Sequence, residues 1–186
     1  GRTSHGNSPW HGRSALDAGQ LMGHAIDILR EHIYPGNPPD AANTINYTYT
    51  STGPEFPSVV PDYTTVWVIG RFETTEEMLR SLARVDKCAQ AGALATETTV
   101  EEEVITITHH KIPNKVLAEK FYRNLQTIGV PQFTEEEHNK AKAIQKQLGQ
   151  PENGLPTKLD PFEGGFTVLC DTSEFSWCAP YASPWI

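Results

Sequence analysis

Residues 63–72, Tyr-Thr-Thr-Val-Trp-Val-Ile-Gly-Arg-Phe, have the strongest β-strand character in the chain. β-branched and aromatic side chains predominate in this stretch, and such side chains pack well on a pleated sheet. Upstream, residues 45–50 alternate apolar and polar side chains, which predicts a second, half-buried strand. Helices are predicted over residues 14–33 and 74–93, because each stretch opens with a capping-box pattern and then carries apolar side chains at helical spacing.

A third strand is predicted over residues 98–108, which gives the order helix, strand, strand, helix, strand. Helices gathered on one face of an antiparallel sheet suit this order. One more strand before Gly1 would make the order βαββαβ, which is the ferredoxin-like arrangement. We therefore predict an α+β fold with a ferredoxin-like unit whose first strand is missing or truncated.

The pattern changes after Thr108. Asn114 and Thr134 are capping residues in front of two amphipathic stretches, which predicts two more helices. Residues 149–165 contain prolines and glycines and are expected to be irregular, and residues 166–169 are predicted to form a short strand.

The composition excludes some classes of partner. The chain has 186 residues, with 23 acidic and 15 basic side chains and a net charge of -8. This charge disfavours binding to phosphate backbones, so we expect no nucleic-acid partner. No apolar run approaches the roughly 20 residues that span a bilayer, so no membrane association is expected. Three cysteines without CxxC spacing favour a reducing, cytoplasmic setting.

Three residues are candidates for a functional role. His5 lies in a loop rich in glycine, serine and asparagine near the start of a helix, where functional side chains are often presented. Asp171 and Glu174 follow the predicted short strand. They are interpreted either as carboxylates that bind or orient reacting groups, or as part of a helix start with Glu174 near its positive end. The residues alone leave the function open, because HExxH, GxSxG and phosphate-loop patterns are absent from the sequence.

Several motifs resemble the zinc-dependent metallopeptidase and amidohydrolase superfamily that includes aminoacylase and carboxypeptidase G. The p-aminobenzoyl-glutamate hydrolase B subunits are the most similar branch. The most specific match is Gly-Arg-Thr-Ser-His-Gly at residues 1–6, where Gly6 replaces the alanine usual in the family. The other matching segments are Pro9-Trp10 and residues 12–18, 30–33, 57–62, 91–94, 112–114, 117–119 and 129–137.

The resemblance implies a protein of two domains. A catalytic domain binds one or two zinc or manganese ions, and a ferredoxin-like lid mediates dimerisation. Residues 1–110 then correspond to the lid, and residues 111–186 to an incomplete, C-terminal α/β part of the catalytic domain. The family's metal ligands fall outside the matching segments. We therefore expect no metal to bind this chain, and we expect the chain alone to be inactive.

The resemblance also implies a reaction and its residues. The parent protein is expected to be a homodimeric hydrolase that cleaves the amide bond of an N-acyl amino acid or an aminobenzoyl-glutamate-like small molecule. His5 matches the lid histidine that binds the substrate or the tetrahedral oxyanion. Asp171 and Glu174 match two carboxylates near the site, although Glu174 replaces an aspartate. The alternative is a non-enzymatic ferredoxin-like module for self-association or small-molecule binding.

Overall fold

A computed structural model describes residues 1–37, 41–162 and 173–179. The chain divides into two compact units. The described part of the first unit comprises residues 1–37, 41–111 and 173–177, and that of the second comprises residues 112–162 and 178–179.

The first unit contains two long helices, one long strand pair and shorter elements. In chain order these are β1 (Ser4–His5), α1 (Ala15–Arg30), β2 (Gly36–Asn37), β3 (Ala41–Ala42), β4 (Thr44–Ser51), β5 (Val59–Val60), β6 (Thr65–Arg71), α2 (Thr75–Thr96) and α5 (Ser173–Cys178), whose last residue is assigned to the second unit. The mixture of helices and small antiparallel sheets confirms the predicted α+β class.

The strands β4 and β6 lie in the two stretches predicted as strands, and they pair with each other in antiparallel orientation. Tyr47 lies opposite Val68 in this pair, and both side chains pack against the buried core. Trp67 and Ile69 alternate with Val68 and remain about half exposed on the other side. The sheet therefore packs one face against the helices and leaves its other face, with Trp67 and Ile69, open to solvent. The core consists of Ile26, Leu29, Ile45, Phe72 and Val85.

The helices α1 and α2 pack closely because glycine lies at their contact. An added Cβ on Gly92 would lie 2.4 Å from the carbonyl oxygen of Ala18. Both helix starts follow the predicted capping chemistry. The hydroxyl of Ser14 accepts from the backbone N–H of Asp17 at 3.1 Å, and that of Thr74 accepts from Glu77 at 3.2 Å. Each bond satisfies an N–H that the first turn leaves unpaired.

The prediction of a strand over residues 98–108 is wrong, because this stretch has no regular secondary structure. Its β-branched composition suits a strand, but a strand needs a neighbour for its backbone groups. Within the described part of the chain, β4 and β6 pair with each other and not with this stretch. Val104 and Ile105 consequently stay exposed. The ferredoxin-like arrangement, which requires this strand, is not confirmed.

The second unit contains α3 (Lys115–Ile128) and α4 (Glu135–Gln147), both at predicted positions. Asn114 caps α3, and Gly129 ends it with a φ of 80°, a conformation that glycine adopts without strain. Thr134 and Glu137 form a complete capping box at α4. The strand predicted over residues 166–169 lies outside the described residues, and the assignment of the two predicted domains stays a prediction.

None of the helices in the described ranges combines the length and apolar character needed to cross a membrane.

Candidate functional site

His5 lies at the end of β1, in a loop held by backbone hydrogen bonds. β1 pairs antiparallel with β5, and His5 lies opposite Val59. The backbone N–H of Gly6 donates to the carbonyl of Ser58 at 2.6 Å, and that of Ser8 donates to the carbonyl of His5 at 2.9 Å. Hydrogen bonds therefore hold the main chain at His5 and at the residue that follows it.

The exposed ring of His5 has one nitrogen with a defined partner. The backbone N–H of Asn7 donates to Nδ1 of His5 at 3.1 Å. Because a backbone N–H can only donate, Nδ1 is the unprotonated nitrogen of the neutral ring. The proton is then on Nε2, and His5 presents an N–H donor to its surroundings.

Gly6, next to His5, lies very close to the backbone of Ser58. An added Cβ on Gly6 would lie 3.0 Å from both the Cα and the carbonyl oxygen of Ser58. These backbone atoms belong to the chain that pairs with the loop, so they yield little. Glycine at this position allows the close approach that the 2.6 Å hydrogen bond requires.

A cleft of about 330 Å³ opens between this loop, the start of α1 and the end of α2. Two of its lining residues are charged, Asp17 and Arg13, and Arg13 forms an ion pair with Glu97, with an Nε–Oε2 distance of 2.6 Å. The ion pair neutralises the guanidinium locally, so the cleft has little preference for an anion. It is lined by Pro9, Gly12, Arg13, Ser14, Asp17, Val60, Ala95 and Thr96.

Glu174 lies in the first turn of α5, and its carboxylate binds His109. Oε1 accepts from the backbone N–H of His109 at 2.6 Å, and the two carboxylate oxygens lie 3.1 and 3.0 Å from Nδ1 of the ring. The backbone hydrogen bond, followed by the side-chain one, holds the pKa of Glu174 below its ordinary value. The carboxylate is therefore ionised at neutral pH. The other predicted carboxylate, Asp171, lies outside the described residues.

Trp177 contacts two adjacent histidines. Its ring centroid lies 4.8 Å from that of His109 and 5.2 Å from that of His110, and the second pair is almost perpendicular. The indole N–H donates to the carbonyl of His110 at 2.6 Å. The backbone N–H of Thr75 donates to Nδ1 of His110 at 3.3 Å, so this ring caps the start of α2. We call His109, His110, Glu174 and Trp177 the His109 cluster.

His109 is a site residue that the sequence patterns do not reveal. Adjacent side chains at a strand end point to opposite faces, whereas the rings of both His109 and His110 contact Trp177. The contact from His109 to Glu174 spans 65 residues. Local sequence patterns carry no signal for a contact of this range.

No metal centre is built by the residues that the structure describes. Within them, no three His, Cys, Asp or Glu side chains are grouped so as to hold an ion. A hydrolytic metal site uses about three protein ligands and an open position. The described residues therefore do not fit a catalytic metal.

Comparisons with known proteins place the chain among hydrolases. It is 35% identical over 142 residues to the p-aminobenzoyl-glutamate hydrolase B subunit from Escherichia coli (strain K12), a match that covers 76% of this chain and 28% of the relative. It is 27% identical over 138 residues to Xaa-Arg dipeptidase from Mus musculus, covering 73% of this chain and 30% of the relative. The chain thus spans less than a third of either relative's length. No protein-family profile matches it.

The class that these relatives define is that of hydrolases acting on amide bonds. The resemblance predicted from the sequence motifs is confirmed, and the chain belongs to the peptidase and amidohydrolase superfamily.

Proposed function

We propose that this chain is part of a hydrolase that cleaves an amide bond of an N-acyl amino acid, an aminobenzoyl-glutamate-like compound or a dipeptide. In this proposal His5 donates Nε2–H to the developing oxyanion or to a carboxylate of the substrate. One observation carries the assignment of His5: the hydrogen bond from Asn7 to Nδ1 leaves Nε2 as the donor on an exposed ring.

The chemistry of amide hydrolysis explains why such a donor is useful. Attack on the amide carbonyl moves negative charge onto its oxygen, and a fixed donor at that point stabilises the transition state more than the substrate. The backbone bonds at Gly6 and Ser8 support this role, because they hold the main chain that carries the ring, and the bond from Asn7 orients the ring itself. The compounds named for the two relatives share an amide bond next to an amino-acid residue.

The remaining roles follow from the resemblance. Residues 1–110 serve as the lid and dimerisation domain, and residues 111–186 belong to the catalytic domain. A zinc or manganese ion, bound by ligands outside the described residues, would polarise the carbonyl and activate water. The 186-residue chain alone is expected to be inactive.

The experiment compares two replacements of His5 in the complete hydrolase. His5→Asn keeps an acceptor near the position of Nδ1 but removes the Nε2 donor, and His5→Gln places an amide N–H near Nε2. We expect kcat/KM to fall about 10²–10³-fold in His5→Asn, as for other oxyanion donors, and less in His5→Gln. Aminobenzoyl-glutamate and Xaa-Arg dipeptides are the substrates to test.

The control is His11→Gln, because His11 is an exposed histidine of the same region that contacts Trp10. Its kcat/KM should stay close to the wild-type value. Wild-type activity in His5→Asn would refute the role of His5, and the absence of turnover on every amide substrate would favour the non-enzymatic alternative.

We also propose that the protein forms a homodimer through residues 98–108. This stretch has the composition of a strand and exposed apolar side chains at Val104 and Ile105, and among the described residues it joins no sheet, so its backbone groups can pair with a second chain. Sedimentation should give a dimer for the wild type and a monomer for Ile105→Lys. Ile128→Lys, at an exposed isoleucine of the second unit, is the matched control. A monomeric wild type at high concentration would contradict the proposal.

A further inference from the structure

We propose that residues 149–157 form a pH-sensitive strap on α4, and that this strap loosens when the imidazole of His138 gains a second proton. The strap follows the end of α4 and returns along the same helix, because Gly154 is bound to Gln145 and Leu155 to His138. Both the strap and α4 belong to the second unit. The proposal therefore depends neither on the role of His5 nor on the proposed hydrolase activity.

Side chains of α4 hold the strap through its backbone. The backbone N–H of Gly154 donates to Oε1 of Gln145 at 2.8 Å, and Nε2 of Gln145 donates back to the carbonyl of Gly154 at 3.1 Å. The backbone N–H of Leu155 donates to Nδ1 of His138 at 3.2 Å. His138, Ala141 and Gln145 recur at helical spacing and are the half-buried residues of α4, so the strap binds to one face of the helix.

Glycine allows the strap to approach the imidazole closely. Gly154 has a φ of 75°, which glycine adopts without strain, and an added Cβ would lie 2.9 Å from Nδ1 of His138. The ring of Phe133 also contacts this imidazole, with centroids 6.1 Å apart and almost perpendicular planes. The ring of His138 is therefore in contact with the segment before α4 and with the strap after it.

The bond to His138 can exist in one protonation state of the ring. A backbone N–H can only donate, so Nδ1 of His138 is unprotonated in this structure and the neutral ring carries its proton on Nε2. A proton added from solvent at Nδ1 turns this acceptor into a donor, and two N–H groups then face each other. The amide of Gln145 does not ionise, so the end of the strap at Leu155 is the part that responds to pH.

Charged residues on both sides modulate this response without replacing the bond. Glu137 would attract a positive charge on the ring, although its carboxylate is bound to Thr134 in the capping box. Lys142 would repel it, since its Cε lies 3.4 Å from the Cβ position of Gly154. The charged residues of the adjoining helix turns, the strap and its end are Glu135, Glu137, Lys142, Glu152 and Lys158.

The test is a pH titration of the 186-residue chain by NMR. The ring signals of His138 report its protonation, and amide hydrogen exchange, corrected for the intrinsic effect of pH on exchange, reports the protection of Leu155. We expect the protection of the Leu155 amide to fall about tenfold as the ring gains its proton, which is the scale of one lost hydrogen bond. Both changes should have the same midpoint, and the amide of Ala141 within α4 should keep its protection.

Two variants separate the acceptor from its titration. His138→Asn keeps an acceptor oxygen near the position of Nδ1 but cannot gain a proton, so Leu155 should stay protected across the whole titration. His138→Leu removes the acceptor, so Leu155 should be weakly protected at every pH. His24→Asn, at an exposed histidine of α1, is the matched control and should keep the wild-type pH dependence.

Protected amides within α4 show that the helix remains folded in each variant. The proposal would be overturned by a Leu155 amide whose protection does not follow the ring titration of His138. It would equally be overturned by an unchanged pH dependence in His138→Asn, or by wild-type protection of Leu155 in His138→Leu.

Discussion

His5 and His109 are both solvent-accessible histidines of the same compact unit, yet they are held in opposite ways. A backbone N–H donates to Nδ1 of His5, whereas the carboxylate of Glu174 accepts from Nδ1 of His109. The neutral rings therefore carry their protons on different nitrogens, so Nε2 of His5 is a donor and Nε2 of His109 is an acceptor. The hydrogen-bond partner of Nδ1 thus decides whether Nε2 of the neutral ring is a donor or an acceptor.

The two regions also differ in how their main chain is fixed. The loop around His5 is held by the pairing of β1 with β5 and by bonds from Gly6 and Ser8. The stretch that ends at His109 lacks regular secondary structure, and side chains from Glu174 and Trp177 hold its end. The first region should therefore respond most to backbone crowding, and the second to the loss of single side chains.

The largest effect is expected from Gly6→Ala. The new Cβ would crowd the Cα and carbonyl oxygen of Ser58, so the free energy of unfolding should fall by about 1–3 kcal/mol. Denaturant unfolding measures this loss, and Asn7→Ala, which keeps the backbone N–H, should change it by less than about 0.5 kcal/mol. An unchanged stability in Gly6→Ala would mean that the backbone at Ser58 can move to accommodate the new Cβ. The loop around His5 would then not be more sensitive to backbone crowding than the His109 cluster.

A somewhat smaller effect is expected from Trp177→Ala. The substitution removes a ring that contacts both histidines and should cost about 1–2 kcal/mol in stability, in line with its partial burial. Trp10→Ala is the paired variant in the His5 region, where the indole is 69% exposed and the main chain holds the loop. It should cost less than about 0.5 kcal/mol. Equal losses of stability in the two variants would contradict the distinction between a loop held by its main chain and a segment held by side chains.

The smallest expected effect is a pH dependence confined to the His109 cluster. Because the folded pKa of Glu174 is lowered, its contribution to stability is present above the unfolded value of about 4.3 and is lost as pH falls through the folded value. The indole signal of Trp177 should therefore change in the wild type as acidification takes the pH below the ordinary pKa of a glutamate. In Glu174→Gln this change should disappear. Persistence of the same change in the variant would assign it to another group.

The sequence predicted the features that depend on local chemistry. Ser14, Thr74, Asn114 and Thr134 were expected to begin helices, and each caps one, because a cap needs only residues within one turn. The strands β4 and β6 were each predicted, the first from its alternation of apolar and polar side chains and the second from its β-branched and aromatic composition. Features that depend on a distant partner were not predicted correctly.

Two such features concern the candidate sites. Residues 98–108 have strand composition without a strand neighbour in the described chain, so the prediction from composition was wrong. The contact between His109 and Glu174 joins residues 65 positions apart, and no local pattern records it. His5 was selected because its loop motif is contiguous, although the bond from Asn7 that sets its proton required the structure.

The most direct test of the opposite tautomers is a long-range ¹H–¹⁵N correlation spectrum of the imidazole rings, recorded as the pH is raised until the ring ¹⁵N shifts stop changing. We predict that His5 carries its proton on Nε2 and that His109 carries its proton on Nδ1. Identical tautomers at the two residues would contradict this account.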